Sequence, residues 1–450
     1  MRPERAAHAE RVAQARTAMR ALPMGLRPTL AKTTSNLFRD RQAHAQARLD
    51  LGAFTHVIAI DADQGWVDVE GLVTYEALVK TTLAYRLMPL VVPQLKTITV
   101  GGAVVGVGIE ATSFRHGLVH DTLLEADVLL PGGEVVTCAP DNAQRDLFLA
   151  LPNSYGTLGY ALRLRLRTQP VAPFVCVEHR RFGEAQAFFA ALAGACDDVG
   201  VDFVDGVAFA RDDFVLNIGR FVSHAPHCSD YSFEQIYWQS LRDKPIDHLT
   251  TDGYLWRWDT DWFWCSKNFG ADRPWLRRLL GRKRLNSRTY TRWMRANSRW
   301  RMTQRLARWR GLHTESVIQD VDLPLRQAPA FLDFLFDQIG IVPIWICPIR
   351  ATDPALPFTL YPLAPGVRHI NFGFWDVVSS RDAKPHGHFN RLIEREVIAR
   401  GGIKSLYSDS YFTRDEFDAA YRMDRYAIVK QRYDPAQRLP GLYEKCVLRA

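Results

Sequence analysis

Apolar and polar residues alternate strictly from Tyr160 to Arg167, placing Tyr160, Leu162, Leu164 and Leu166 on one face and Arg163, Arg165 and Arg167 on the other. A period of two predicts a half-buried strand. Residues 56–60 and 66–70 predict two more strands around the turn Asp61-Ala62-Asp63-Gln64-Gly65, and residues 74–87 predict a helix N-capped by Thr74. Residues 122–130 are rich in Leu and Val, Pro131-Gly132-Gly133 supplies a turn, and residues 134–138 return as a strand. Beyond Gln169-Pro170 the pattern changes. It predicts a helix at 184–195, strands at 203–210, 214–221, 341–349 and 369–377, and a helix at 414–421. The start of the chain mixes Ala with Arg, Glu, His and Gln and predicts a surface amphipathic helix. The expected organisation is that helix over residues 1–22, a ligand-binding domain over 23–169 and a second domain over 170–450, α+β in class. No internal repeat is visible.

Between these elements, residues 99–117 (TVGGAVVGVGIEATSFRHG) carry five glycines. Glycine lets a backbone approach a ligand and adopt φ > 0, so successive N–H groups can converge on phosphate oxygens. Thr99, Thr112 and Ser113 add hydroxyl donors. A glycine-rich hairpin or bulge is the competing reading. A dinucleotide fingerprint needs GxGxxG opening a helix. Here Gly106-Val107-Gly108-Ile109-Glu110-Ala111 is followed by no amphipathic helix, and the context reads as loop and hairpin. A second glycine loop, Ser154-Tyr155-Gly156-Thr157-Leu158-Gly159, precedes the alternating strand.

These motifs resemble a known family. TVGGAVVGVGIE, the hairpin through PGGEVV, Asp146-Leu147-Phe148 and SYGTLG are similar to the FAD-binding domain of the vanillyl-alcohol-oxidase and p-cresol-methylhydroxylase (PCMH) superfamily, and within it to the delta-24 sterol reductase (diminuto/seladin) group. PIWICP at 343–348, LYSDSY at 406–411 and LPGLYEK at 439–445 look like further family segments in the family's order, so the resemblance runs from about residue 25 to 446. It implies a two-domain α+β fold of the FAD-binding PCMH type with a C-terminal α+β substrate or cap domain, and non-covalent FAD. The implied cofactor residues are Thr99, Val100, Gly101, Gly102, Gly106, Gly108, Ile109, Glu110, Thr112, Ser113 and Gly117, then Gly156, Thr157 and Gly159. Ser35 and Asn36 belong to a weaker first loop at 32–36. The membrane-spanning N-terminus of the eukaryotic sterol enzymes has no match here.

Composition changes the picture in one place. The chain has 450 residues, 47% of them hydrophobic, and no run of about 18 uncharged apolar residues that would span a bilayer. Seven cysteines without a CxxC pair argue against a disulfide framework or a zinc ribbon and suit a reducing cytoplasm. His386-Gly387-His388 lacks a third ligand, so no metal is expected. His116 is the one residue near the glycine segments that covalent flavin attachment would use, and the resemblance does not point to a linkage. The net charge is +8, yet residues 273–310 alone contain 14 Lys or Arg and no Asp or Glu. Trp275, Trp293, Trp300 and Trp309 are interleaved; Tyr290, Trp293 and Trp300 fall near one helical face, as do Met302, Leu306 and Trp309. A basic aromatic helix suits an anionic bilayer surface. The competing readings are a solvated helix and single-stranded nucleic acid, the latter without any accompanying nucleic-acid module. The expectation is a cytoplasmic protein held peripherally at the inner membrane face, with no nucleic-acid partner and an undetermined oligomeric state.

An isolated alkene repels hydride, so its reduction calls for protonation to a tertiary cation that then accepts hydride, and hence for an acid and aromatic faces near the charge. Tyr407, Asp409 and Tyr411 alternate along one expected strand and share its face; a half-buried strand with satisfied hydroxyls is the plain alternative. Lys430, in Lys-Gln-Arg-Tyr-Asp-Pro, resembles a superfamily ending where a basic residue approaches flavin or substrate, against the alternative of a surface lysine before a turn. Trp345 and Trp375 fall on expected strands of the second domain and either line a pocket or pack the core. The expected activity is FAD-dependent oxidoreduction at a lipid carbon–carbon bond, of the delta-24 sterol reductase type, with NADPH as electron donor. Reduction or desaturation of a methyl- or methylene-branched fatty acyl chain is the alternative, and a non-catalytic lipid-binding protein on an oxidase fold is a second.

Overall fold

A computed structural model describes residues 2–31, 39, 46–300, 309 and 311–449. The N-terminal helix Arg2–Ala21 buries Ala15 and Met19 against Leu49, Phe54 and Leu162. His8 Nδ1 and Arg11 Nε reach the buried Glu70 carboxylate at 2.7 and 2.8 Å. Two short strands, β1 (Arg27–Leu30) and β2 (Gln46–Leu49), pair in parallel beside it.

The first large sheet runs β3-β4-β8-β6-β7 with β5 on the edge of β8. Its strands are β3 (Val57–Asp61), β4 (Trp66–Glu70), β5 (Leu87–Pro89), β6 (Leu123–Leu129), β7 (Val135–Cys138) and β8 (Tyr160–Pro170), all paired antiparallel. The alternation in β8 works as expected: Leu162, Leu164 and Leu166 are buried, while Arg163 and Arg165 lie on the other face, paired to Asp68 at 2.8 Å. Thr74 caps the following helix by accepting the Ala77 N–H. That helix ends at Leu83, earlier than its expected end at 87, because Arg86 turns at φ 56° and Leu87–Pro89 is claimed by β8.

The chain passes from β8 to a second, eight-stranded antiparallel sheet within four residues. Its order is β12-β9-β11-β10-β14-β15-β13-β16, formed by β9 (Phe174–Phe182), β10 (Phe203–Ala210), β11 (Asp213–Val222), β12 (Ile246–Thr250), β13 (His313–Pro324), β14 (Ile344–Ile349), β15 (His369–Ser380) and β16 (Ile403–Lys404). One face is apolar and covered by the helices Ala185–Asp197, Ala328–Phe334 and His388–Ala399, through Phe188, Phe331 and Ile393 packed on Leu216, Ile346 and Phe372. The opposite face shares a core with the first sheet: Val177, Val207 and Trp345 join Val69 and Leu164 there. Side chains in a strand point alternately to the two faces, so each inner strand contributes every second residue to this junction. All seven cysteines are free thiols, and no helix among the described residues is long and apolar enough to cross a membrane.

Candidate functional site

The glycine segment is not the open loop expected from its composition. Thr99 caps a short helix, Val100–Val105, by accepting the Gly102 N–H at 3.2 Å. The amides of Val100 and Gly101 donate to the carbonyls of Val73 and Gly71 at 2.8 and 2.9 Å. These three N–H groups are therefore committed within the fold and do not form the phosphate cradle that the expectation assigned to them. Gly101 is needed for another reason: a Cβ there would stand 2.7 Å from the Gly71 carbonyl oxygen. Among the described residues, a Cβ added at Gly102 would meet nothing within 4 Å except the capping residue, Thr99. Among the described residues, nothing else covers the helix at that point.

The second glycine loop is folded directly onto the first. Tyr155 N–H donates to the Val105 carbonyl at 3.2 Å, and Tyr155 OH to the Gly106 carbonyl at 3.0 Å. Asn153, Tyr155 and Gly156 all have positive φ, of 60°, 50° and 74°. A non-glycine residue in this region stores strain, and such residues concentrate at functional sites. The second sheet's segments converge on the same loop. Leu406 N–H donates to Asn153 Oδ1, Lys445 Nζ to the Tyr155 carbonyl at 2.6 Å, and Lys430 Nζ to the Thr157 carbonyl at 2.7 Å. Arg39 stands over the Tyr155 ring, 4.8 Å from its centroid.

On the junction face of the second sheet the inward residues are polar where a core would be apolar. His179, Asn217 and Asp205 stand opposite one another across β9, β11 and β10, and Cys347, Asn371 and Asp322 do so across β14, β15 and β13. Asn217 links His179 to Asp205 through bonds of 2.7 Å. Arg257, wholly buried, bridges Asp205 (2.9 Å) to Glu110 (3.1 Å). Buried charges persist only when paired in this way. Burial still pushes the Glu110 carboxyl upward against the pull of Arg257. Glu110, expected to face cofactor, thus ties the end of the glycine segment to the second sheet, as do the bonds from Val204 N–H to the Ala111 carbonyl and from Cys347 Sγ to the Glu110 carbonyl. Ile109 packs on the shared core, and Ser113 Oγ accepts the Glu110 N–H.

One register further along, Trp345, Gly373 and Asp320 lie in line across β14, β15 and β13. Tyr407 bonds to the Asp320 carboxyl, and its hydroxyl accepts the Trp375 Nε1–H at 2.8 Å. Burial pushes Asp320 up to about 8 and its neighbour Asp322 to about 6, the latter restrained by bonds from Tyr361 and Asn371. Against this polar pair stands an aromatic wall: the Phe263 ring lies 4.4 Å from Trp375 and 5.6 Å from Trp345. Trp262 and Phe263 hold φ of 46° and 57°, unfavourable for bulky side chains. Of this group the sequence named Trp345 and Trp375 as lining a pocket or packing the core, but missed Asp320 and Phe263; five aromatics within residues 256–264 were the available signal.

The remaining candidates separate. Residues 405–411 form a turn rather than the expected strand, because pairing stops at Lys404, so Tyr407, Asp409 and Tyr411 do not share a face. Tyr407 reaches the aromatic wall. Asp409 faces Arg449 at 3.6 Å, and Tyr411 OH accepts from the same guanidinium at 3.2 Å. Lys430 has oxygens of Thr157, Asp434 and Leu439 around its ammonium, within the C-terminal helix's anchor. Ser35 and Asn36 lie outside the described residues, as do Met302 and Leu306. In the basic segment Tyr290 is buried, donates to the Thr260 carbonyl and packs edge-on against Trp293, correcting the expectation of an outward stripe there. Arg277, Arg278, Arg282 and Arg288 pair with Asp261, Glu234, Asp230 and Glu76, acids contributed from outside the segment. No cluster of three metal-ligating side chains occurs among the described residues.

The glycine loops present features that fit a dinucleotide's diphosphate. Thr112 Oγ and Ser154 Oγ, one from each loop, are sealed from solvent without a partner among the described residues, as is the Nε of Arg39, which stands over the Tyr155 ring. Unpaired buried donors of this kind are costly unless a ligand engages them. Comparison with known proteins agrees. Residues 3–139 match the FAD binding domain family. The chain is 26% identical to the Delta(24)-sterol reductase of Arabidopsis thaliana over 94% of this chain and 75% of that one. It is 24% identical to that of Homo sapiens over 86% and 75%. Similarity to Cytokinin dehydrogenase 10 of Oryza sativa subsp. japonica, 34% identical, is confined to 26% of this chain. With a cofactor domain matched at its start and a sterol-reductase likeness continuing through both sheets, the chain is an FAD-dependent oxidoreductase of the PCMH type, similar to the Delta(24)-sterol reductases.

Proposed function

We propose that this enzyme reduces a carbon–carbon double bond in a lipid, a sterol side chain in the first instance, using NADPH as electron donor and acting from the inner membrane face. The observation that carries this reading is the meeting of Tyr407 with the wall of Trp375, Phe263 and Trp345, next to Leu406, whose N–H donates to Asn153 of the strained loop. A hydride-transferring cofactor held at that loop would supply the reductant. The chain's own residues supply the rest. Thr112, Ser154, the helix face at Gly102 and Arg39 hold the diphosphate non-covalently; the rings exclude water and stabilise positive charge on a branched carbon; the polar pair beside Tyr407 furnishes a proton. Division of the chain at residues 22 and 169 belongs to the same proposal, the second part carrying the substrate.

The membrane component rests on Trp275 and Leu279, which are 61% and 71% exposed one turn apart on the helix Pro274–Leu280, and on Trp309, 82% exposed. A deciding experiment reduces the purified flavoprotein anaerobically with NADPH. It is then mixed with vesicles carrying either a sterol with a trisubstituted side-chain alkene or a phospholipid with a methylene-branched acyl chain. Reoxidation by the sterol supports the proposal. Reoxidation by the branched acyl chain alone transfers the activity to that lipid, and reoxidation by neither overturns it.

A further inference from the structure

Asp320 occupies a place prepared for it. Across the strand pair, Gly373 has no side chain, and a Cβ there would come within 2.7 Å of Asp320 Oδ1 and 2.6 Å of the Trp375 ring. The missing atom leaves space for carboxyl and indole to lie together. Oδ1 is sealed and has no hydrogen-bond partner among the described residues. The carboxyl's remaining bond is to Tyr407, whose hydroxyl is itself fixed by Trp375 Nε1–H. The titratable groups facing the site are Tyr407 from the turn, Tyr155 from the glycine loop, Tyr361, and Asp322 on the same strand. Among the described residues no Lys, Arg or His makes an ion pair with Asp320, and Arg39 stands over the ring of its neighbour Tyr155. An acid placed among tyrosines, a second carboxyl and indoles keeps its proton, and burial holds this one at about 8.

We infer that Asp320 is the proton donor to the lipid alkene, with Tyr407 as the positioning residue that orients its carboxyl. The inference rests on the lipid-alkene reading above. In the step, the alkene π pair takes the proton from Oδ1: a C–H bond forms and the O–H bond breaks. The carboxylate remains, and the cation left on the more substituted carbon is discharged by hydride from the NADPH-reduced flavin. A proton from water then restores the acid. The rings of Trp345, Trp375 and Phe263 face the charge while it lasts.

The test uses the full-length flavoprotein and its Asp320→Asn and Tyr407→Phe variants, with Asp320→Glu in place of Asn should the amide variant not fold. Two readouts are taken. Infrared difference spectra across pH 5 to 10, without substrate, are expected to show a protonated carboxyl that ionises near pH 8, is lost in Asp320→Asn, and titrates higher in Tyr407→Phe because a bond to the charged form has gone. Rapid mixing is expected to show flavin reduction by NADPH unchanged in Asp320→Asn and reoxidation by alkene slowed by about 100-fold or more. A carboxyl already ionised at pH 6, or an Asp320→Asn variant reoxidised at the parental rate, overturns the assignment. If the parental enzyme is reoxidised by neither alkene, the lipid reading fails and takes the donor role with it. Because the infrared band is recorded without substrate, that failure is distinguishable from a mistaken choice of residue.

Discussion

The Lys430 ammonium lies 2.7 Å from the Thr157 carbonyl oxygen, tying the helix Met423–Tyr433 to the second glycine loop across most of the chain. It also donates to Asp434 at 2.7 Å and to the Leu439 carbonyl at 3.0 Å. With three acceptors around it, this lysine holds the loop rather than a substrate.

Lys430→Met is therefore expected to act through stability. It leaves the Asp434 carboxylate buried without its cation, a loss of roughly 3 kcal/mol for a pair of this kind. Thermal melting should shift down by several degrees and bound flavin should fall with it. A variant that melts normally, keeps its flavin and loses only lipid turnover would return Lys430 to the catalytic role expected from its motif.

Gly102→Val tests the cofactor face. The added Cβ would come 2.8 Å from Thr99 Oγ, and the branched methyls would project from a side of the short helix that no other described residue covers at Gly102. Soluble protein with unchanged circular dichroism and no visible flavin is expected. Thr99→Ala is the matched comparison, since it removes only the cap, worth about 1 kcal/mol, and should keep most of the flavin. Full flavin occupancy in Gly102→Val would move the diphosphate elsewhere.

Much of this architecture follows from short-range pattern. Strict alternation in Tyr160–Pro170 and the Thr74 cap needed no partner to be recognised. Glycine density marked both loops, although it did not reveal that residues 100–105 would wind into a helix, because small residues leave loop and helix similarly accessible until Thr99 supplies the cap. The polar face of the second sheet was hidden for a different reason. His179 and Asp322 belong to one surface only through pairings among six strands, and no strand taken singly shows which of its polar residues will share that surface. Tyr407, Asp409 and Tyr411 alternate as a strand would, but a period of two over five residues cannot distinguish a strand from the turn that follows Lys404. Tyr290 and Trp293 sit on a basic helix, and only the acids and the carbonyl that meet that helix show which way its aromatics turn.

Stability should report the buried Asp320 directly. A carboxyl whose folded pKa is raised from 3.8 to about 8 binds more protons folded than unfolded between those values, so its contribution to stability is greatest at low pH. It is lost as pH rises through about 8. Denaturation midpoints of the parental protein are expected to fall between pH 5 and 8 more steeply than those of Asp320→Asn, in which the titration is absent. Glu70, whose pKa is lowered by His8 and His56 and by Arg11, titrates below this window and does not obscure it. Parallel midpoint curves for the two proteins would show that Asp320 is ionised throughout.

Membrane docking makes the last prediction, and the structure changes which residues test it. Tyr290 and Trp293 are committed to the core and Arg277, Arg278, Arg282 and Arg288 to acids, so among the described residues the surface open to lipid includes Trp275, Leu279 and Trp309 with Arg273, Lys283, Arg284 and Arg292. Each cation near an anionic surface contributes about 1 kcal/mol, screened by salt, whereas inserted indole and leucine side chains contribute a part that salt does not remove. Two variants separate these parts. Lys283→Glu with Arg284→Glu should weaken sedimentation with anionic vesicles at low salt. Trp275→Ser with Leu279→Ser should lower the binding that persists at high salt by about tenfold or more, burial of a single such side chain being worth roughly 1.5–3 kcal/mol. Flavin content should be unchanged in both, because neither pair touches the glycine loops. Vesicle binding equal to the parental protein's in both variants would leave residues 273–310 as a solvated, internally paired segment. Competition by single-stranded oligonucleotides with no effect of either variant on lipid turnover would assign its charge to nucleic acid instead.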